Sequence, residues 1–299
     1  MNNVKKSFSI RDMENLSGIK AHTIRIWEKR YDLFSPERTS TNIRTYSIGS
    51  LQKLLNITLL YNNGYKISKI AKLDESQIPV MVKEIVAQNS KKSHALNAFK
   101  LAMLNFDQSL FQRTYSSLLA ERSFRDVFYE VFIPLLNELG LLWQTDTISP
   151  AHEHFISNLI KQKIYIQTEK LQNGEPTKHD KVFALFLPEN EIHDIGLLYI
   201  NYEITLRGYK SIYLGQTMPM ENLADLLKYY NNIHFVSYFT VAPTPNELND
   251  YLERFSNLLE LAPDSKLYVL GHQIRHAAPD MFPESVNAFN SIEQLLEFL

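Results

Sequence analysis

The chain has 299 residues, no cysteine and a nearly balanced charge, 31 Lys plus Arg against 33 Asp plus Glu. That length predicts two or three domains of ~100–200 residues each, and the lack of cysteine excludes disulfides, thiolate zinc sites and thiol redox chemistry. No apolar run approaches the ~18 residues that a membrane span needs, and the start, Met1-Asn2-Asn3-Val4-Lys5-Lys6-Ser7, lacks the apolar core of a signal peptide, so the expectation is a soluble, cytoplasmic protein.

The charge is unevenly placed. Residues 1–73 hold 13 basic and 5 acidic residues, 13 − 5 = +8, and the remainder holds 31 − 13 = 18 basic and 33 − 5 = 28 acidic residues, or −10. A basic head on an acidic body is the electrostatic pattern of a nucleic-acid binder that confines DNA to one end. Within the head, Ser9 with Asp12 three residues on predicts a capped helix start. That helix should end near Gly18. A second helix should begin near Ala21 and carry Thr23, Arg25, Lys29 and Arg30, with Trp27 three residues from Ile24 on the apolar face. Two helices and a tight turn place a helix in the major groove. Arg38 to Tyr46 then reads as a β-wing, with Arg38, Arg44 and Tyr46 placed to touch phosphate, and helices over residues 48–62 and 67–73 complete a domain of residues 1–73.

Thr23-Ile24-Arg25-Ile26-Trp27-Glu28-Lys29-Arg30-Tyr31, then Pro36-Glu37-Arg38, then Asn42-Ile43-Arg44-Thr45-Tyr46-Ser47, resemble in order the MerR family of winged-helix transcription regulators. The resemblance implies double-stranded operator DNA as partner and no catalytic activity. Residues 74–93 are polar, contain Pro79 and read as a linker with a short helix. They are too weakly periodic for the long antiparallel dimer helix usual in that family, so a homo-oligomer is expected to form through the C-terminal body.

Residues 94–175 show apolar positions at three- and four-residue spacing. They predict four helices, about 95–104, 108–120, 124–142 and 150–171, as a four-helix bundle closed by Asn173-Gly174-Glu175-Pro176. From residue 180 to 299 short apolar runs alternate with helical stretches: strands near 182–187, 211–214, 233–239, 266–270 and 286–289. The whole is therefore expected to be multidomain, α and α/β, ending in a doubly wound, flavodoxin-like parallel sheet that binds ligands at the carboxyl ends of its strands.

No Gly-x-Gly-x-x-Gly follows the first of these strands, which argues against a dinucleotide. Instead Glu191-Ile192-His193-Asp194-Ile195-Gly196, later Ser237-Tyr238-Phe239, later Gly271-His272, resemble the cobalamin-binding fold with its Asp-x-His-x-x-Gly, Ser-x-Leu and Gly-Gly signatures. The bundle adds Trp143, nine residues, then Glu153-His154, similar to the motif of the adenosylcobalamin-dependent photoreceptor regulators of the CarH and LitR type. The resemblance implies adenosylcobalamin as cofactor, His193 as the cobalt ligand below, and Trp143, Glu153 and His154 above. It also implies that Glu191 orients His193, and that Gly196, Ser237 and Gly271 make room for the ligand. Departures stand at Glu191 for Asp, at Phe239 where the nucleotide tail would thread, at His272 for the second Gly, and at Gln144 after Trp143.

Three functions compete at this point. One is a transcription regulator gated by an adenosylcobalamin, light-sensing body. The second is a regulator whose body serves only oligomerisation or protein interaction. The third, a corrinoid carrier module of an enzyme, is disfavoured by the DNA-binding head and the regulator-type bundle motif.

Overall fold

The computed structural model describes residues 7–39, 42–88, 91–144, 147–275, 277–278 and 281–299, the side chains of 83–88, 91–93, 140–141 and 143–144 aside. The chain divides into two compact units, Met1–Leu159 and Ile160–Leu299. Among the described residues no helix is long and apolar enough to cross a membrane.

The first unit opens with a short strand, β1 (Ser7–Ser9), then α1 (Ile10–Ser17) and α2 (Ala21–Tyr31). The expected cap is present as a full capping box: Asp12 N donates to Ser9 Oγ at 3.1 Å and Ser9 N to Asp12 Oδ2 at 2.8 Å. Gly18 closes α1 at φ 74°, a left-handed conformation that costs a glycine little. The wing is β2 (Glu37–Arg38) and β3 (Arg44–Ser47), with β3 antiparallel to both β1 and β2. α3 (Ile48–Asn62) supports the head, and Trp27 is buried, its ring edge-on to Tyr61 at 5.3 Å.

After α4 (Ile67–Ile70), the expected linker is largely helix, α5 (Gln77–Gln88). Ile78 and Val82, one turn apart, are buried and the helix packs on α3, while Pro79 falls in the first turn where its missing N–H is harmless. α6 (Lys91–Leu104), α7 (Gln108–Leu119) and α8 (Phe124–Val127) follow, then a π-helical stretch Phe128–Phe132 that leads into α9 (Ile133–Gln144). The sequence predicted one continuous helix there. Pro134 cannot donate to the preceding turn, and the wider π turn absorbs the break. Phe99, Phe111, Tyr115 and Phe132 form the aromatic centre of this bundle, with ring centroids 4.9–6.4 Å apart. The head docks on it directly. Asn15 Nδ2 donates to Thr147 Oγ1 at 2.8 Å, and buried Lys100, ion-paired with Glu138, places Nζ 3.5 Å from Leu16 O at the carboxyl end of α1.

The division between units falls inside α10 (Pro150–Leu171). The second unit then alternates β4 (Lys178–Phe186), α11 (Ile195–Leu206), β5 (Tyr209–Gly215), α12 (Met220–Leu227), β6 (Ile233–Tyr238), α13 (Leu248–Leu259), β7 (Lys266–Leu270), β8 (Val286–Ala288) and α14 (Ile292–Phe298). The sheet is parallel, in the order β5-β4-β6-β7-β8. Relative to the first strand of the unit this is 2-1-3-4-5, the expected doubly wound order, whose direction reverses between β4 and β6. Residues of alternate parity line the two faces. Ala184, Phe186, Phe235 and Val269 pack under α12 and α13, while Phe183, His234 and Tyr268 face the other side.

Candidate functional site

The loop after β4 carries His193 to the carboxyl edge of the sheet, at the reversal of strand order. Glu191, fully buried, holds it there. His193 Nδ1 lies 2.6 Å from Glu191 Oε1, which also accepts the backbone N–H groups of Ile192 and His193, both at 3.0 Å. The other oxygen, Oε2, accepts Thr240 N at 2.9 Å, Val241 N at 2.6 Å and Ala242 N at 3.0 Å. One carboxylate thus joins the loops that follow the two strands flanking the switch point. Burial opposes its charge, but hydrogen bonds from the His193 ring and from the backbone of Val241, Ala242 and His193 prevail and bring it down to about 2. The glutamate's extra methylene reaches both loops, so this departure from aspartate is accommodated. With Nδ1 directed at Glu191, Nε2 is the nitrogen that could coordinate a metal, and the His193 side chain is half exposed.

Asp194, next in the chain and buried at the start of α11, pairs with Lys161 of α10 at 2.6 Å. Nothing in the sequence marks this pair, because its partners are 33 positions apart.

The other positions expected to receive a ligand are filled by the chain itself. A Cβ at Gly196 would meet the Tyr238 ring at 3.0–3.2 Å, so the space that was expected to admit a ligand holds an aromatic ring. Ser237 is buried and donates to Phe186 O at 2.8 Å, tying β6 to β4. Phe239 is also buried, edge-on to Tyr251 at 5.5 Å, so it packs in the core and does not line a channel. Gly271, at φ 115°, admits the Phe239 backbone, whose carbonyl oxygen would lie 2.3 Å from an added Cβ. His272 is exposed beside it.

In the first unit, Glu153 and His154 stand on the first turn of α10. Glu153 Oε1 accepts Ser157 Oγ at 2.7 Å, and Oε2 lies 3.4 Å from His154 Nε2. Both side chains reach solvent, His154 the more so. The Trp143 side chain lies outside the described residues.

Among the proposed DNA-contacting residues, Arg25, Lys29 and Arg30 are exposed along α2, and Thr23 is half-buried with Oγ1 3.3 Å from His22 Nε2. Arg38 projects from the wing and bonds Asn42 Oδ1 at 2.6 Å. Tyr46 does not face outward from the wing as its residue type suggested. It is 1% exposed, and its hydroxyl donates to Glu28 Oε2 at 2.9 Å, so it is a core residue and not a phosphate contact. Burial and the Glu28 bond push its hydroxyl up, away from ionisation. The strand pleat sends Tyr46 inward. Arg44 reaches Glu28 Oε1 at 2.9 Å, and that bond raises its pKa. Glu28, on α2, therefore clamps wing to helix, a role its sequence position did not reveal.

Residues 8–77 match the family described as MerR HTH family regulatory protein, and residues 95–167 the B12 binding domain. The chain is 28% identical over 265 residues to the HTH-type transcriptional repressor CarH of Myxococcus xanthus, covering 85% of this chain and 86% of that one. It is 22% identical over 246 residues to the HTH-type transcriptional repressor CarA of the same organism, covering 82% and 80%. A solved Methanosarcina barkeri monomethylamine corrinoid protein matches 70% of this chain and all of its own, with 15% identity and a TM-score of 0.57, a likeness of fold.

Proposed function

We propose, for a chain that carries a MerR-type DNA-binding head and a B12-binding-type body, that it is a transcription regulator gated by adenosylcobalamin and light. The observation that carries the reading is the Glu191–His193 clamp at the switch point, in one chain with an intact helix-turn-helix. Exposed Arg25, Lys29 and Arg30 on α2 would enter the major groove of an operator, and Arg38 on the wing would neutralise phosphate. Each neutralised phosphate contributes about −0.9 to the log–log salt slope of affinity. In the body, His193 would hold cobalt through Nε2 while Glu191 fixes the ring. On α10, Glu153 would offer a hydrogen-bond acceptor suited to a ribose, with His154 beside it, and Trp143 would offer an apolar ring. A bound adenosylcobalamin would supply a light-labile cobalt–carbon bond. The head alone makes few phosphate contacts, so the body would assemble a homo-oligomer whose avidity multiplies weak binding by ~10²–10⁴. The protein works as a regulator and not as an enzyme, in keeping with relatives described as repressors.

The experiment is mass measurement by size exclusion on dark and illuminated samples, with and without adenosylcobalamin, beside His193→Ala, together with operator binding. Retained corrinoid colour and a light-dependent change in mass and DNA affinity, both lost in His193→Ala, are expected. Identical masses with no retained colour would leave a cobalamin-free regulator on the same scaffold.

A further inference from the structure

One side chain fills the space over Gly196 at the switch point. Tyr238 ends β6, and its ring lies over Gly196 at the start of α11, with Cε2 3.0 Å, Cδ2 3.1 Å and Cζ 3.2 Å from where a Cβ would stand. Its backbone cannot retreat. Ser237 before it is bonded to Phe186 O, and Phe239 after it is buried, donates N–H to Leu270 O at 2.7 Å and abuts Gly271. With the backbone held on both sides, rotation of the Tyr238 side chain is the movement that opens the space over Gly196.

This matters for the corrinoid reading, on which the inference rests. Cobalamin differs from simpler corrinoids by a nucleotide hung from the lower face of the ring, the side that faces His193 in that reading. When His193 takes the lower position at cobalt, that nucleotide needs room beside the histidine, and the crevice between α11 and β6 is the space that the topology offers there. We propose that Tyr238 is a specificity-determining residue that discriminates against the nucleotide: corrinoids carrying it bind only to the fraction of molecules with the ring turned out, and corrinoids without it bind regardless. Minor states are populated at ~0.1–10%, and apparent affinity falls by that fraction, so the discrimination is roughly tenfold to a thousandfold.

The test titrates the full-length protein in the dark with adenosylcobalamin and with adenosylcobinamide, which lacks the nucleotide, following the visible spectrum for wild type, Tyr238→Ala and Tyr238→Phe. Wild type should prefer adenosylcobinamide. Tyr238→Ala should gain at least about tenfold for adenosylcobalamin and remain unchanged for adenosylcobinamide. Tyr238→Phe, which keeps the ring, should behave as wild type. A ring that merely supports the fold would move both ligands together, and an equal change for both, or no change in their ratio, overturns the inference while leaving the corrinoid reading intact. Failure of all three proteins to bind either corrinoid overturns both.

Discussion

Glu191→Gln isolates the buckle across the switch point without changing its volume. The carboxylate receives five backbone N–H groups and the His193 ring, three contacts on each oxygen. An amide keeps one acceptor end and turns the other into a donor. If the NH₂ faces the 240–242 loop, three backbone donors are left opposite a donor. If it faces the His193 loop, at least two are. A stranded buried donor costs ~1–3 kcal/mol, so with two stranded in the better orientation the expected loss is about 4 kcal/mol, within a range of roughly 2–9 over both orientations. That is a large part of the ~5–15 kcal/mol that holds a domain together. Denaturant unfolding followed by far-UV circular dichroism measures the global loss. Amide hydrogen exchange at Thr240, Val241 and Ala242 measures the local one, and these three should exchange faster than the rest of the sheet edge. An unfolding free energy unchanged to within ~1 kcal/mol, with undiminished protection at those amides, would refute the buckle.

His234, buried between Phe183 at 5.6 Å and Tyr268 at 5.2 Å, is held neutral: burial first, then the charges of Lys181 and Lys266, bring its pKa to about 4. The unfolded chain binds this proton near pH 6.5 and the folded one only near 4. Stability is therefore full above 6.5 and falls by up to ~3 kcal/mol as pH drops to 4, and unfolding curves of His234→Phe should lack that part of the slope. In the head, Glu28→Ala should strand the Tyr46 hydroxyl and release Arg44, lowering the stability of the first unit by ~1–3 kcal/mol and weakening operator binding through a misplaced wing. Wild-type Tm and affinity in Glu28→Ala would contradict the clamp.

The local features of this chain are written in its local sequence. Ser9 and Asp12 cap a helix three residues apart, Gly18 ends it in the left-handed conformation that favours glycine, and the apolar runs at 182–187, 233–239 and 266–270 can be little other than buried parallel strands. The motif Glu191-x-His193 likewise predicted the hydrogen bond that is found, because its partners are two residues apart. Residues 74–93 read as a linker with a short helix, and how α5 docks was not legible, because Ile78 and Val82 are a weak signal until α3 is present to receive them.

What only the tertiary structure decided depends on partners remote in sequence. Tyr46 is polar enough to belong on a DNA-facing wing, and its place in the core follows from β3 pairing with β1 and from a carboxylate 18 residues earlier. Oε2 of Glu191 meets a loop 49–51 residues away. Gly196 and Gly271 read as space for a ligand, since a glycine announces only that something comes close. The fold supplies the Tyr238 ring to one and the Phe239 backbone to the other. Residue type and spacing determine which chemistry is available. The order of strands in the sheet determines which of those groups meet, and which spaces the chain has already filled.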